Sequence, residues 1–545
     1  MGGPKRAAAT VAALAVVALA VGTPALAASV PAVTGSPKTP PTADPAAWTV
    51  YHHDPAGSGV AAPVSSVATT APVWRSPTLD GQLYGEPLVA GGRIFVATAS
   101  DTVDALSATS GAVLWSTHLG TPVPAGSLPC GDISPTVGIT GTPVVDPARG
   151  EVFVVADEEV RGSPAHFLVG LDAATGRTEV TQDVDPAGSD PAALLQRTGL
   201  TLDGGRVVFG YGGNYGDCST YRGWVVAVPE TGGSPVDFAV DGAPGERQGA
   251  VWMGGAAPTV DASGNVWVAA GNGSVTSDAH AHAYDDSDSV LELSPVLHLL
   301  QFFAPTSWAT DNRDDLDLST APALLADGQV VEAGKARTAY LLDGSHLGGI
   351  GGQQAAVATG CAADIDGGAA VVGETVYLPC LAGVVAVQAG ASPPSLHVLW
   401  TSHVGGGPPI VAGGLVWSIG QDGTLDGLDP ATGSVQRQVP VGAPSGHFPT
   451  PAVGDGVLVV PAGDRVVAYA APAVPTTPPS TTTTVAPSTT APSTTLPPGV
   501  GVPVKREPGL PLAAKILIFT AIGLAVAAAA WTLGSRQGRS GPPPG

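Results

Sequence analysis

The 545-residue sequence predicts an all-β fold, an eight-bladed β-propeller carried between an N-terminal signal peptide and a C-terminal transmembrane helix. Three observations predict it. One segment pattern recurs eight times between residues 47 and 472. The composition is rich in Gly and poor in Lys and long helix-formers. Two separate apolar stretches stand at the two ends of the chain.

The recurring pattern is a small or Pro residue with an apolar pair, a Gly/Asp turn, an alternating apolar strand, and a further strand closing on Asp/Ala-x-x-Thr-Gly. The first copy runs from Gly85-Glu86-Pro87-Leu88-Val89 through Gly91-Gly92 to Thr109-Ser110-Gly111, with Trp115 after it. The second opens at Thr142-Pro143 and closes on Leu171-Asp172-Ala173-Ala174-Thr175-Gly176. Later copies start near Thr201, Ala257 and Ala321, include Gly373-Glu374-Thr375-Val376 and Gly413-Gly414-Leu415-Val416, and end with the copy opening at Pro451. This spacing suits four-stranded blades of about 40–50 residues each. A single blade cannot bury both faces, whereas a closed ring buries them all and leaves few open edges. Turn pairs such as Gly91-Gly92 supply the positive φ that tight hairpins need.

A net charge of −23 argues against a nucleic-acid partner. There are four cysteines, Cys130, Cys218, Cys361 and Cys380. An even number in an exported domain favours disulfides, and three pairings are possible. Closeness in sequence favours Cys361–Cys380, which leaves Cys130–Cys218.

The ends set the expected domain organisation. Lys5-Arg6, the apolar stretch Ala7 to Val21 and Ala25-Leu26-Ala27 read as a signal peptide over 1–27. A Pro/Thr-rich linker over 28–46 leads to the propeller, 47–472. Residues 473–511 are a Pro/Thr-rich stalk that cannot bury enough apolar area to order itself. Residues 512–534 read as a transmembrane helix, because Ile516 to Leu533 carries no charge and about 20 apolar residues span a bilayer. Residues 535–545 form a cytoplasmic tail. The expected location is therefore the cell membrane, single-pass, with the propeller on the extracytoplasmic side.

The strand–turn repeats, above all Ala105-Leu106-Ser107-Ala108-Thr109-Ser110-Gly111 and Gly170-Leu171-Asp172-Ala173-Ala174-Thr175-Gly176, resemble the pyrroloquinoline-quinone (PQQ) repeat family. That family holds both quinoprotein dehydrogenases and propellers that bind no quinone, including outer-membrane assembly scaffolds. Three segments resemble the dehydrogenase site. Ala270-Gly271-Asn272-Gly273 is similar to the segment whose Asn ligates calcium. Trp308 to Leu318 is similar to the segment with the catalytic Asp, which makes Asp315 the matching residue and Asp317 the second. Ala333-Gly334-Lys335 is similar to the segment whose Lys contacts the quinone. The resemblance implies Asp315 and Asp317 as catalytic, Lys335 and Asn272 as cofactor-binding, Asn272 and Asp315 as metal ligands, and PQQ with Ca²⁺ as the cofactor.

General chemistry fits those residue types. A hard Ca²⁺ takes oxygen ligands and polarises a carbonyl, a carboxylate removes an alcohol proton, and a cation balances a carboxylate cofactor. The departures are equally specific. No two cysteines are adjacent, as they are in the alcohol-oxidising members. Around Gly212 to Cys218, where those enzymes carry a calcium-ligating Glu, the acidic residue is Asp217. Trp252 is displaced from the place of their Trp floor, and basic residues are scarce. Bland roles also suit the same residues: Asn272 in a turn, the aspartates as loop caps, and Lys335 in an ion pair with Glu332 or a loop Asp. His280 and His282, with Asp278, Asp285, Asp286 and Asp288 nearby, form a second tract with metal-ligand chemistry.

The expectation is a membrane-anchored binding or scaffold propeller whose partner is a protein, an envelope polymer or a small molecule. The alternative is a PQQ- and calcium-dependent dehydrogenase acting on an alcohol or sugar.

Overall fold

In the computed structural model the described residues are 44, 46–242, 244–276, 284–446 and 448–474. They form eight largely antiparallel sheets of four or five strands and one two-stranded ribbon. The expected signal peptide, most of the linker and of the stalk, the transmembrane helix, the tail, and His280 with His282 lie outside the described residues. No helix among the described residues is long and apolar enough to cross a membrane.

Each sheet is one blade, and in blades 1 to 7 strands A to D run outward in chain order. In blade 1 they are Leu88–Ala90, Arg93–Ala97, Thr102–Ser107 and Val113–His118. The A strands of neighbouring blades touch one another, so they line the centre of a ring. Blades 2 to 7 begin at Val144, Thr201, Thr259, Ala323, Ala370 and Ile410. Blade 3 gains the short strand Leu194–Leu195, and blade 4 gains a parallel fifth strand, Gly349–Ile350. The antiparallel order puts the A–B hairpins at one end of the ring. The B–C and D–A connections lie at the other end.

The repeat signature is a device for joining blades. Trp115, on the D strand of blade 1, donates its Nε1–H to the Ala173 carbonyl of blade 2 at 3.1 Å. Its ring lies where a side chain on Gly176 would otherwise stand. Gly176 has φ of 73°, so both the dihedral and the close approach require glycine. Asp172 shapes the turn by accepting from the Thr175 amide at 2.8 Å and the Thr175 hydroxyl at 2.7 Å. Trp400 repeats the contact on Pro430 at 3.0 Å, beside Gly433.

Trp74 makes the same contact on Ala108 at 2.9 Å, beside Gly111. It lies on the strand Trp74–Arg75, which pairs with Val466–Ala470 as the outer strand of blade 8. Residues preceding the first blade therefore close the last one, which otherwise holds only Ala452–Gly454, Val457–Pro461 and Val466–Ala470.

Upstream of that strand, a strap crosses the A–B hairpin end of the ring. Amides of the A strands donate to strap carbonyls: Val89 to Trp48 (2.9 Å), Val145 to Thr49 (2.8 Å), Val260 to Pro55 (2.7 Å), Val371 to Ser58 (2.8 Å) and Val411 to Gly59 (2.8 Å). Those residues belong to blades 1, 2, 4, 6 and 7. Trp48, Val50, Tyr51 and His52 are buried. Glu86 is held from the strap by the Trp48 Nε1–H at 3.0 Å and the His52 amide at 2.8 Å.

The expected cystine pairings are present. Cys361–Cys380 bridges residues 19 apart, and Cys130–Cys218 bridges residues 88 apart.

Candidate functional site

Blades 4 and 5 deliver the sequence-predicted residues to one place on the B–C loop end. Asn272 follows the B strand Val266–Ala270 of blade 4, and Lys335 follows the B strand Gln329–Ala333 of blade 5. Both sit where a strand gives way to its B–C connection. Asp315 and Asp317 lie on the connection between the two blades, just after the helix Trp308–Asp314. Asp315 caps that helix in the left-handed conformation, with φ of 57°. Asn312 on the helix accepts from the Gly273 amide at 2.7 Å and donates to the Val275 carbonyl at 2.8 Å, fixing the Asn272 turn to it.

The four side chains form a closed set. Lys335 Nζ lies 2.5 Å from Asp317 and 3.0 Å from Asp315. Asn272 donates its amide N–H to Asp317 at 2.6 Å and its side-chain Nδ2–H to Asp315 at 2.7 Å. The Lys335 amide donates to the Asp317 carbonyl at 2.9 Å. Asp317 is 1% exposed in its side chain and Asp315 71%. Asn272 Oδ1 is buried without a hydrogen-bond partner.

More carboxylates surround this set. Burial pushes Asp317 up against the downward pull of Lys335. Burial raises Asp288 well above the usual carboxylate range, with Asp317 and Asp311 adding to it, and raises Asp366 to about 6. Asp217 is pushed up by burial while the Tyr221 hydroxyl donates to it at 2.6 Å. Burial works against the charge of Lys335, but Asp317 and Asp315 more than offset it, so its ammonium is held more firmly than usual.

Asn272, Asp315, Asp317 and Lys335 are thus brought together as the sequence suggested. Lys335 pairs with the loop aspartates and not with Glu332, which accepts from the Thr320 hydroxyl at 2.8 Å. Trp252 donates to the Gly213 carbonyl at 2.9 Å and packs near Tyr221, whose hydroxyl holds Asp217. Two concave pockets lie elsewhere, one at the strap around Tyr51 and Thr259, the other around Cys130, Leu195 and Tyr215. Sequence reasoning missed the strap-held Glu86 and the buried Arg197. Glu86 stands in the first repeat, but nothing in its motif marks it as buried.

Eight repeated blades joined by Trp-on-turn contacts and closed by a shared blade define the class: the chain is an eight-bladed β-propeller. A PQQ-repeat family model described as outer membrane protein assembly factor BamB matches residues 60–287. No curated protein matches the chain significantly. Among solved structures it is similar to quinohemoprotein alcohol dehydrogenase from Pseudomonas putida HK5, with 14% identity, a TM-score of 0.58, and 87% of this chain and 84% of that one covered. The corresponding enzyme from Comamonas testosteroni shares 16% identity over 79% of this chain and 82% of its own, with a TM-score of 0.56. BamB from Moraxella catarrhalis shares 14% identity over 74% of this chain and 99% of its own, with a TM-score of 0.50. At these identities the likeness concerns the fold.

PQQ would find few free cations in this donor set. A tricarboxylate needs cations, and Lys335 is already engaged by two carboxylates with Asp217, Asp288 and Asp366 close by. No group of three or more His, Cys, Asp or Glu among the described residues is arranged to hold a metal ion.

Proposed function

We propose that the chain is a binding or scaffold propeller, displayed outside the cytoplasmic membrane and anchored to it by its C-terminal segment. The observation that carries this reading is the double ion pair of Lys335 with Asp317 and Asp315. It makes this geometry of the rim a self-contained brace between blades 4 and 5. The partner is a protein, an envelope polymer or a small molecule. The BamB-type match supports a protein partner.

Replacing Lys335 by Met tests the brace. Removing one member of a buried ion pair leaves the other charge uncompensated, and the partial exposure of Lys335 lowers the cost to about 2–3 kcal/mol. Thermal unfolding of Lys335→Met should show that loss, and Lys335→Met/Asp317→Asn should recover most of it. An unchanged melting temperature in Lys335→Met would mean that the lysine is reserved for a ligand.

A second reading is a PQQ- and calcium-dependent dehydrogenase acting on an alcohol or sugar. The buried, unpartnered Asn272 Oδ1 favours it, because a hard cation takes such an oxygen. In that reading Asn272 and Asp315 hold the ion, Lys335 meets the quinone, and Asp315 or Asp317 accepts the substrate proton.

A further inference from the structure

We propose that Arg197 is an anion receptor on the axis of the ring, taking the carboxylate of a small, flat, apolar monocarboxylic acid from the B–C loop end. This site is distinct from the Lys335 cluster, and the proposal stands independently of the reading given to that cluster.

Arg197 belongs to the connection that leads from blade 2 into blade 3. It reaches inward far enough to meet several other blades. Its guanidinium donates to the Thr140 carbonyl of the blade 1–2 connection at 2.9 Å and to the Tyr84 carbonyl before blade 1 at 3.5 Å. It lies 5.9 Å from the Tyr84 ring centroid and 5.3 Å from that of Phe448, before blade 8. A side chain on Gly255, before blade 4, would collide with it. Blades 4 and 8 face each other across an eight-membered ring, so the guanidinium occupies the centre.

Its charge has no carboxylate within ion-pair distance, though Asp132 acts on it from farther off. Arg197 is 6% exposed, and no ion pair to it exists among the described residues. Buried charges are normally paired, because desolvation costs far more than two neutral hydrogen bonds return. Burial pulls its pKa down to about 10, which still leaves it charged at neutral pH. Two bonds to backbone carbonyls leave the rest of the N–H fork without a protein acceptor, and that fork matches a carboxylate in two-point contact.

The surroundings select the ligand. The strap seals the ring at the A–B hairpin end, so access is from the B–C loop end. Tyr84 and Phe448 are half-buried and offer flat apolar rings near the charge. Asp132 acts on the guanidinium, Asp366 stands beside Gly254 next to it, Asp217 and Asp315 stand in the nearby cluster, and the chain as a whole carries −23. Such a field opposes multiply charged anions more than a monoanion.

The test is calorimetric titration of the full-length protein with benzoate, acetate and inorganic phosphate at constant ionic strength. Benzoate should bind saturably in the millimolar range, acetate several-fold more weakly, and phosphate without saturation. Arg197→Gln should abolish benzoate binding, and Tyr84→Leu, which keeps the charge, should weaken it several-fold. If Arg197→Gln fails to fold, the wild-type series and Tyr84→Leu still decide. Absence of saturable benzoate binding to the wild type would overturn the proposal. So would benzoate binding retained by folded Arg197→Gln, an unaltered affinity in Tyr84→Leu, or phosphate binding as tightly as benzoate.

Discussion

The two ends of the ring are made from the same eight blades and differ in nearly every physical respect. At the A–B hairpin end the connections are tight, often Gly-Gly pairs, and a single strap satisfies the inner strands through neutral main-chain hydrogen bonds. Trp48, Val50 and Tyr51 bury against them. At the other end the D–A connections are long, as is the B–C connection of blade 3, carboxylates crowd the rim, and the cations there include the half-buried Lys335 and the buried Arg197. The repeat therefore supplies a scaffold. What distinguishes one face from the other is sequence outside the repeat, where binding residues on a rigid fold usually stand.

The sealed end should be the more sensitive to mutation. Trp48→Ala removes a fully buried ring and the Nε1–H that holds Glu86, at a cost of about 3–5 kcal/mol. Chemical denaturation should show that loss. A loss below about 1 kcal/mol, the range of surface changes, would mean that the strap is an ornament on an already stable ring.

Next is the cystine on the loop end. Cys361–Cys380 closes a loop between residues 19 apart, worth about 3 kcal/mol in the chain-entropy treatment. Cys361→Ser/Cys380→Ser should lower the melting temperature accordingly. Peptide mapping under non-reducing conditions should recover both cystines, and a mixed pairing would contradict the fold.

The third contrast is in pH dependence. Burial pushes Asp101 and Asp241 up to about 9, Asp157 to about 7 and Asp366 to about 6. The folded chain therefore binds protons more tightly than the unfolded chain between about pH 4 and those values. Stability from these groups is full below the unfolded carboxylate pKa and is lost as pH rises through the folded values. Buried His52, pulled down to about 4, acts in the opposite sense below its ordinary pKa of 6.5. Four carboxyls outweigh one imidazole, so the melting temperature should rise from pH 8 to pH 5.5. Asp101→Asn should flatten that rise, and an unchanged slope would show that Asp101 ionises normally.

Much of the fold was legible because the repeat is a covalent pattern with a geometric cause. Asp172, Thr175 and Gly176 make a turn on which a tryptophan docks, and the same spacing marks every clear copy. The ring closure was not read, although Trp74 carries the signal: it docks on Ala108 and Gly111 as Trp115 docks on Ala173 and Gly176. Its partner strand lies about 400 residues away, a separation that local patterns do not encode. The site was legible as a set of residues, and Asn272, Asp315, Asp317 and Lys335 do converge. What the sequence left open was charge balance. Lys335 could face a ligand or a loop aspartate, and only the positions of Asp315 and Asp317 decide between them. Arg197 gave no signal because it belongs to no motif and owes its place to five separate connections.

The proposed reading is that the charged end is a brace and binding face and not a quinone site. Titrating the full-length protein with PQQ in the presence of Ca²⁺, followed by quenching of tryptophan fluorescence, tests it most directly. The account predicts no saturable uptake, with or without the metal, in wild type and in Lys335→Ala alike. Saturable, Ca²⁺-dependent uptake by wild type that is lost in Lys335→Ala would contradict it and establish the dehydrogenase reading.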